Sequence, residues 1–242
     1  MNKFTTRILV GCPTYEGKSY CLNEFVKGIR SLTYKNKDVV LVDNSKTNDY
    51  KQKLESLGIA VIKDKPTDSP LQTLVNGRNI LREKCLEEGY DYFFSLEQDV
   101  IAPPDVIEKL LAHNKKIVSA VYWTIYRFKG EQRIRPLLWK ESDQKEKMTF
   151  MNKEARTPGL YNIRATGLGA ILIHRDVLEK IRFRIASKKA FDDIWFCNDA
   201  REKDFEIWAD TSQQCLHFLN IDGKKQAVFL GKDNQAKLAV FK

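Results

Sequence analysis

The sequence predicts an α/β protein with a mostly parallel central sheet flanked by helices. Short apolar runs without polar alternation recur through the first half, as strands buried on both faces do. Longer segments with helical spacing of apolar residues separate them. Acidic and turn-forming residues gather just after the runs, where such a sheet presents its ligand-binding edge.

Residues 7–11 (Arg-Ile-Leu-Val-Gly) read as the first strand, 19–32 as a helix and 38–43 (Asp-Val-Val-Leu-Val-Asp) as the second strand. A shorter helix at 49–57 leads to a strand at 59–62, and a longer helix at 71–88 leads to the apolar strand 92–96. Pro103-Pro104 opens a helix to residue 113, because proline suits a first helical turn, and 116–122 returns as a strand. From 123 to 157 the chain is polar, basic and aromatic, with Pro136-Leu137-Leu138-Trp139 as its apolar island, and reads as loops with a hairpin. Beyond it come a strand at 170–173, helices at 175–181 and 191–203, and strands at 206–209 and 215–219. Residues 227–230 and 238–241 form a candidate terminal hairpin.

With 242 residues, 43% hydrophobic and 30% charged, the chain can bury a sizeable core as one large domain or two small ones. No apolar run approaches the roughly 20 residues of a membrane helix. The first seven residues lack the apolar core of a secretory leader, so a cytoplasmic protein, at most peripheral at a membrane, is expected. Five cysteines with no CxxC pair predict reduced, buried thiols. The net charge of +9 is concentrated between residues 121 and 190, which hold 16 basic and 7 acidic side chains. That block suits nucleic acid, an anionic membrane surface or a phosphate-bearing substrate, or is simply a solvated basic face.

The strand 92–96 ends in Glu97-Gln98-Asp99. In an extended chain, residues i and i+2 point the same way about 7 Å apart, so Glu97 and Asp99 are expected to converge on one cation or polar ligand. Carboxylate oxygens suit Mg2+ or Mn2+, with substrate phosphates completing the shell.

Five short motifs stand in order on these elements: Cys12-Pro13-Thr14-Tyr15-Glu16, Val42-Asp43-Asn44-Ser45, Gly77-Arg78-Asn79, Glu97-Gln98-Asp99, and Asp192-Asp193 followed by His217. Together they resemble the GT-A glycosyltransferases, most closely family 2, over residues 7–219. Two positions depart from that pattern: Glu-Gln-Asp replaces Asp-x-Asp, and Asp-Asp replaces Glu-Asp. Both keep the charge and change the reach by a methylene.

The resemblance implies a Rossmann-like nucleotide-diphospho-sugar transferase fold over 1–219, with a nucleotide-binding half at 1–100, an acceptor half at 101–219 and an extension at 220–242. It implies an inverting, metal-dependent hexosyltransferase-type enzyme that uses Mn2+ or Mg2+. The donor is a nucleotide-diphosphate sugar, and the acceptor hydroxyl sits on a glycan or on a lipid-linked or phosphate-bearing molecule. Asp193 takes the role of general base. Asp99 and His217 hold the metal, while Glu97 contacts ribose or a metal-bound water. Pro13, Thr14, Tyr15, Glu16, Asp43, Asn44, Arg78 and Gln98 line the donor nucleotide. Gly167, Gly169, Asp192 and Trp195 are weaker candidates for the acceptor side.

Each residue also has a plainer reading. His217 is equally a hydrogen-bonded core histidine, Asp43-Asn44-Ser45 a turn, Arg78 a surface helix charge, the acidic pair a helix cap, and the glycines a bulge at a strand start. The competing functional class is a nucleic-acid or membrane-surface binding protein on an inactive nucleotide-binding scaffold, although nucleic acid is not the expected partner. A nucleotidyltransferase is disfavoured, because residues 11–18 place a proline and an acid where a Gly-rich phosphate loop belongs.

Overall fold

The computed structural model describes residues 6–128, 130–144, 147–187 and 190–240. The first half alternates as expected: β1 (Ile8–Thr14), α1 (Leu22–Ser31), β2 (Lys37–Asp43), α2 (Asp49–Ser56), β3 (Ala60–Lys63), α3 (Pro70–Glu87) and β4 (Tyr92–Leu96). A short β5 (Val100–Ile101), α4 (Val106–Ala112) and β6 (Ile117–Val121) follow. The expected helix at 19–32 begins as a 3-10 turn over Glu16–Cys21, and α1 starts only at Leu22.

The basic region is more ordered than its sequence suggests. It forms the hairpin β7 (Trp123–Phe128) and β8 (Glu131–Pro136), then β9 (Leu138–Glu141) and β10 (Met148–Phe150). The first residues of β8 are exposed, so the apolar alternation that betrays a strand is missing there. Next come β11 (Leu160–Ile163), β12 (Ala165–Thr166), β13 (Ala170–His174), α5 (Arg175–Lys180), α6 (Asp192–Glu202), β14 (Ile207–Gln214), β15 (Leu216–Ile221), β16 (Lys224–Leu230) and β17 (Ala236–Val240). β16 and β17 form the expected terminal hairpin, while Phe241 lies outside the described residues.

Eight strands make the central sheet in the order β11-β14-β6-β13-β4-β1-β2-β3. The pairs β3-β2, β2-β1, β1-β4 and β14-β6 are parallel; β13 runs against both of its neighbours. Because successive strand residues face opposite sides, the sheet has two cores. Leu9, Phe93, Ile117 and Ile171 face one layer, and Ile8, Val10, Phe94 and Val118 face the other. α1 turns Leu22, Phe25, Val26 and Ile29 inward at helical spacing. α3 is started by Ser69, whose side chain accepts the Gln72 N–H, and by Pro70 in the first turn.

A second sheet, β17-β16-β15-β5, is antiparallel throughout. β5 follows the tip of β4, so pairing of Leu216 with Ile101 and His217 with Val100 carries the end of the chain to the sheet edge where the first strands finish. All five cysteines are free and buried, and among the described residues no helix is long and apolar enough to cross a membrane.

Gly11 sits where β1 presses on β2: a Cβ there would lie 2.1 Å from the Val40 carbonyl oxygen. Main chain cannot yield as a flexible side chain does, so Gly11→Ala is expected to cost about 1–3 kcal/mol. A lower urea midpoint with an unchanged m-value would report it.

Candidate active site

The tip of β4 does not continue as a strand. The Val100 N–H donates to the Glu97 carbonyl at 2.9 Å, so residues 97–100 form a turn. The expected convergence of Glu97 and Asp99 is therefore corrected, because i and i+2 share a face only in an extended chain. Glu97 points towards α3 and Asp99 towards the 3-10 turn and β15.

Asp99 is buried and gathers donors from distant parts of the chain. Its Oδ2 pairs with the Lys18 ammonium, receives the Tyr20 hydroxyl at 3.4 Å and faces His217 Nε2 at 3.8 Å. The Phe218 N–H donates to the Asp99 carbonyl at 2.7 Å, fixing β15 against the turn. Burial pushes the Asp99 carboxyl up, but His217 and the Lys18 ammonium outweigh it and hold the group below the usual carboxylate range. Burial draws the Lys18 ammonium down, and Asp99 and Glu97 more than reverse this.

His217 satisfies the plainer reading, since it is buried and hydrogen-bonded. Its Nδ1 lies 2.8 Å from the Trp123 carbonyl. A carbonyl only accepts, so Nδ1 carries a proton and Nε2 is left facing the Asp99 carboxylate. Tyr122 packs edge-on against the imidazole, with ring centroids 5.3 Å apart.

These groups fit a divalent cation in their chemistry. Asp99 Oδ1 is buried without a hydrogen-bond partner, and the ring of His217 is oriented by the Nδ1 bond to the Trp123 carbonyl. Among the described residues no group of three or more His, Cys, Asp or Glu side chains could hold a metal ion. A cation at Asp99 and His217 would thus draw its remaining ligands from water and substrate oxygens, as Mg2+ and Mn2+ do.

Arg78 lies at the centre of a second network. Only 2% exposed, it spends its fork internally: Nε to Asp192 Oδ2 at 2.7 Å, Nη1 to Ser95 Oγ at 3.2 Å and Nη2 to Glu97 Oε1 at 2.5 Å. The surface-charge reading is overturned, since the guanidinium is buried among these three partners. Arg78 ties β4, α3 and the start of α6 together. Asp192 is buried in this bridge, while Asp193, its neighbour, is half-buried and accepts the Ile194 N–H at 2.7 Å. Burial first, then the adjacent Asp192, pushes the Asp193 carboxyl up to about 7.

The residues expected at the nucleotide fall into two groups. Tyr15 is 50% exposed and Glu16 is also exposed, its N–H donating to Ser45 Oγ at 2.9 Å; with Pro13 they form the open lip after β1. Asp43, Asn44, Thr14 and Gln98 are buried and already partnered. Asp43 accepts from the Ser45 N–H and hydroxyl and pairs with Lys63 at 2.8 Å, so its turn reading is satisfied. Asn44 donates to Asp64. Gln98 accepts from Thr14 and donates to the Lys18 carbonyl at 2.9 Å, holding the 3-10 turn in place.

On the acceptor side, Gly167 and Gly169 are buried beneath Tyr122. Cβ atoms there would approach its hydroxyl to 2.1 and 2.9 Å, and the Gly169 N–H donates to that hydroxyl at 3.0 Å. Both make close approach to Tyr122. Trp195 keeps a buried, unpartnered indole N–H, under an Arg184 guanidinium 5.3 Å from the ring. Lys18, Tyr20, Ser95 and Tyr122 were not among the residues singled out from sequence. For Lys18 a signal existed, a base placed just after β1, beside the acidic tip of β4.

Truncating Arg78 to Met would strand two carboxylates, and loss of one partner from a buried ionic network costs about 3–5 kcal/mol. A urea transition moved to lower concentration by that amount is expected. For Asp193, the folded-state carboxyl lies above its ordinary value of 3.8, so the folded protein holds a proton that the unfolded chain releases, and stability falls as pH rises from about 4 to about 7. Asp193→Asn is accordingly expected to melt about 2 °C or more above the parent at pH 8, with the difference vanishing near pH 4.

Residues 10–182 match the family described as Glycosyl transferase family 2. The solved structure titled "Crystal Structure of A197 from STIV" is similar in fold, with a TM-score of 0.53 and 18% identity over 98% of this chain and 95% of that one. No curated protein matches the sequence significantly. A match across most of the chain, on the strands whose tips carry the acids, shows that the protein belongs to glycosyl transferase family 2 and is a nucleotide-sugar-dependent glycosyltransferase.

Proposed function

We propose that the enzyme is an inverting, metal-dependent transferase that moves one sugar from a nucleotide-diphosphate donor to an acceptor hydroxyl, with residues 1–100 serving the donor and 101–219 the acceptor. The observation that carries this reading is the meeting of Asp99 and His217, far apart in sequence: the imidazole faces Oδ2, while Oδ1 of the same carboxylate is buried without a partner. A divalent cation held there would act as a Lewis acid on the departing diphosphate, which then leaves without a proton. Glu97, steadied by Arg78 and partly exposed, would face the donor ribose. Tyr15, Glu16 and Pro13 offer the open surface for the base.

Asp193 would serve as general base. A carboxyl group pushed up to about 7 is matched to proton transfer near neutrality. The acceptor O–H proton passes to Asp193 as the acceptor oxygen bonds to the anomeric carbon. The bond to the diphosphate breaks on the opposite face, and the nucleotide departs with the electron pair. One displacement inverts the centre. Arg78, by holding Asp192 at the same helix start, positions that base.

A phosphate-bearing acceptor, free or lipid-linked, accords with a groove of about 350 Å3 lined by Arg156, Lys232, Ser212, Gln214 and Asn234, with no carboxylate in its lining. The groove adjoins the site through Trp123, whose indole donates to Gln214 at 2.9 Å and whose carbonyl meets His217. The nucleic-acid or membrane-surface reading is favoured by no comparable feature. Several of the basic side chains it would use, among them Arg133, Lys140, Arg164 and Arg184, are paired with carboxylates.

Transfer should rise with pH through about 7 and then level, as Asp193 ionises. Asp193→Asn should lower turnover by about 10²–10⁴-fold, while nucleoside diphosphate with Mn2+ still raises its melting temperature as in the parent, because binding to the folded form stabilises by mass action. An active variant would remove Asp193 from the mechanism. Loss of the melting shift on chelation is expected, and a shift indifferent to chelator would speak against the metal.

A further inference from the structure

The position a cation would take at Asp99 is contested by a cation that the chain supplies itself. The Lys18 ammonium reaches Asp99 Oδ2 from the 3-10 turn, on a side chain 29% exposed, against a carboxylate side chain 5% exposed. Buried carboxylates demand a positive partner, and breaking such a pair without replacement is costly. The lysine stem is flexible and its ammonium is a point charge, so it can withdraw to solvent once another cation takes over. The turn itself need not move: the Tyr15 carbonyl accepts the Lys18 N–H at 2.9 Å, and Gln98 holds the Lys18 carbonyl.

Resting on the metal-assisted reading above, we infer that Lys18 is a displaceable counter-ion that competes with the divalent cation for Asp99 and so sets the metal affinity of the free enzyme. With Lys18 in place the buried acid is neutralised before substrate arrives. Metal binding must then expel an ammonium from a low-dielectric site, which weakens it relative to the same ligands without the lysine. Tyr20 at 3.4 Å and His217 at 3.8 Å also face Asp99 Oδ2, but the Lys18 ammonium is the closest of the three and the one on a flexible, partly exposed stem.

Mn2+ alone, titrated into donor-free protein and followed by the loss of free-ion paramagnetic resonance, tests this without any turnover. Lys18→Met is expected to bind Mn2+ at least tenfold more tightly than the parent, and Lys18→Gln likewise, which covers the case in which one variant does not fold; Asp99→Asn should lose binding in either background. Equal or weaker binding by the lysine variants overturns the competition while leaving a metal enzyme intact. No Mn2+ binding by parent or variants overturns both the competition and the metal-assisted reading.

Discussion

The site depends on the short pairing of β15 with β5. That pairing, reinforced by the Phe218 N–H on the Asp99 carbonyl, brings an imidazole from the end of the chain to an acid at the tip of β4. Main-chain hydrogen bonds fix register, and a slip of one residue would turn His217 to the opposite face of its strand. The antiparallel sheet formed by the last three strands and β5 thereby has a chemical consequence: it sets an imidazole beside the Asp99 carboxylate.

Two charge networks meet at the same strand tip and do different work. Around Arg78 the charges are closed on one another, with a guanidinium serving Glu97, Ser95 and Asp192 at once. Such an arrangement sets geometry and leaves Asp193 outside the bridge. Around Asp99 the charges are open, with one oxygen unpartnered and the other held by a flexible lysine. Rigid support beside an exchangeable ion pair is what diphosphate departure and proton removal would each require from one end of a sheet.

The fold was legible because its signals are local. Apolar runs such as Tyr92–Leu96 and the helical spacing of Leu22, Phe25, Val26 and Ile29 specify buried strands and covering helices regardless of what lies far away. The tips of β1, β2 and β4 were legible for the same reason. What the residues do to one another was not legible. Glu97 and Asp99 part company because the chain turns at Glu97, a choice dictated by β5 joining another sheet. Arg78 sinks into the interior because Asp192, distant in sequence, arrives to meet it. Gly167 and Gly169 make room for Tyr122, whose place under that loop no local pattern announces. A hairpin was expected in the basic region, but its strand bounds were not, because the first residues of β8 are exposed and show no apolar alternation.

On the proposed reading, Asp99 and His217 would share one cation beneath the donor diphosphate. Anomalous scattering from crystals grown with Mn2+ and a nucleoside diphosphate measures it most directly. The account predicts a single manganese peak bonded to an Asp99 carboxylate oxygen, His217 Nε2 and diphosphate oxygens, with the Lys18 ammonium withdrawn from Asp99. A diphosphate bound with no manganese at these two side chains, and Lys18 still on Asp99, would contradict it.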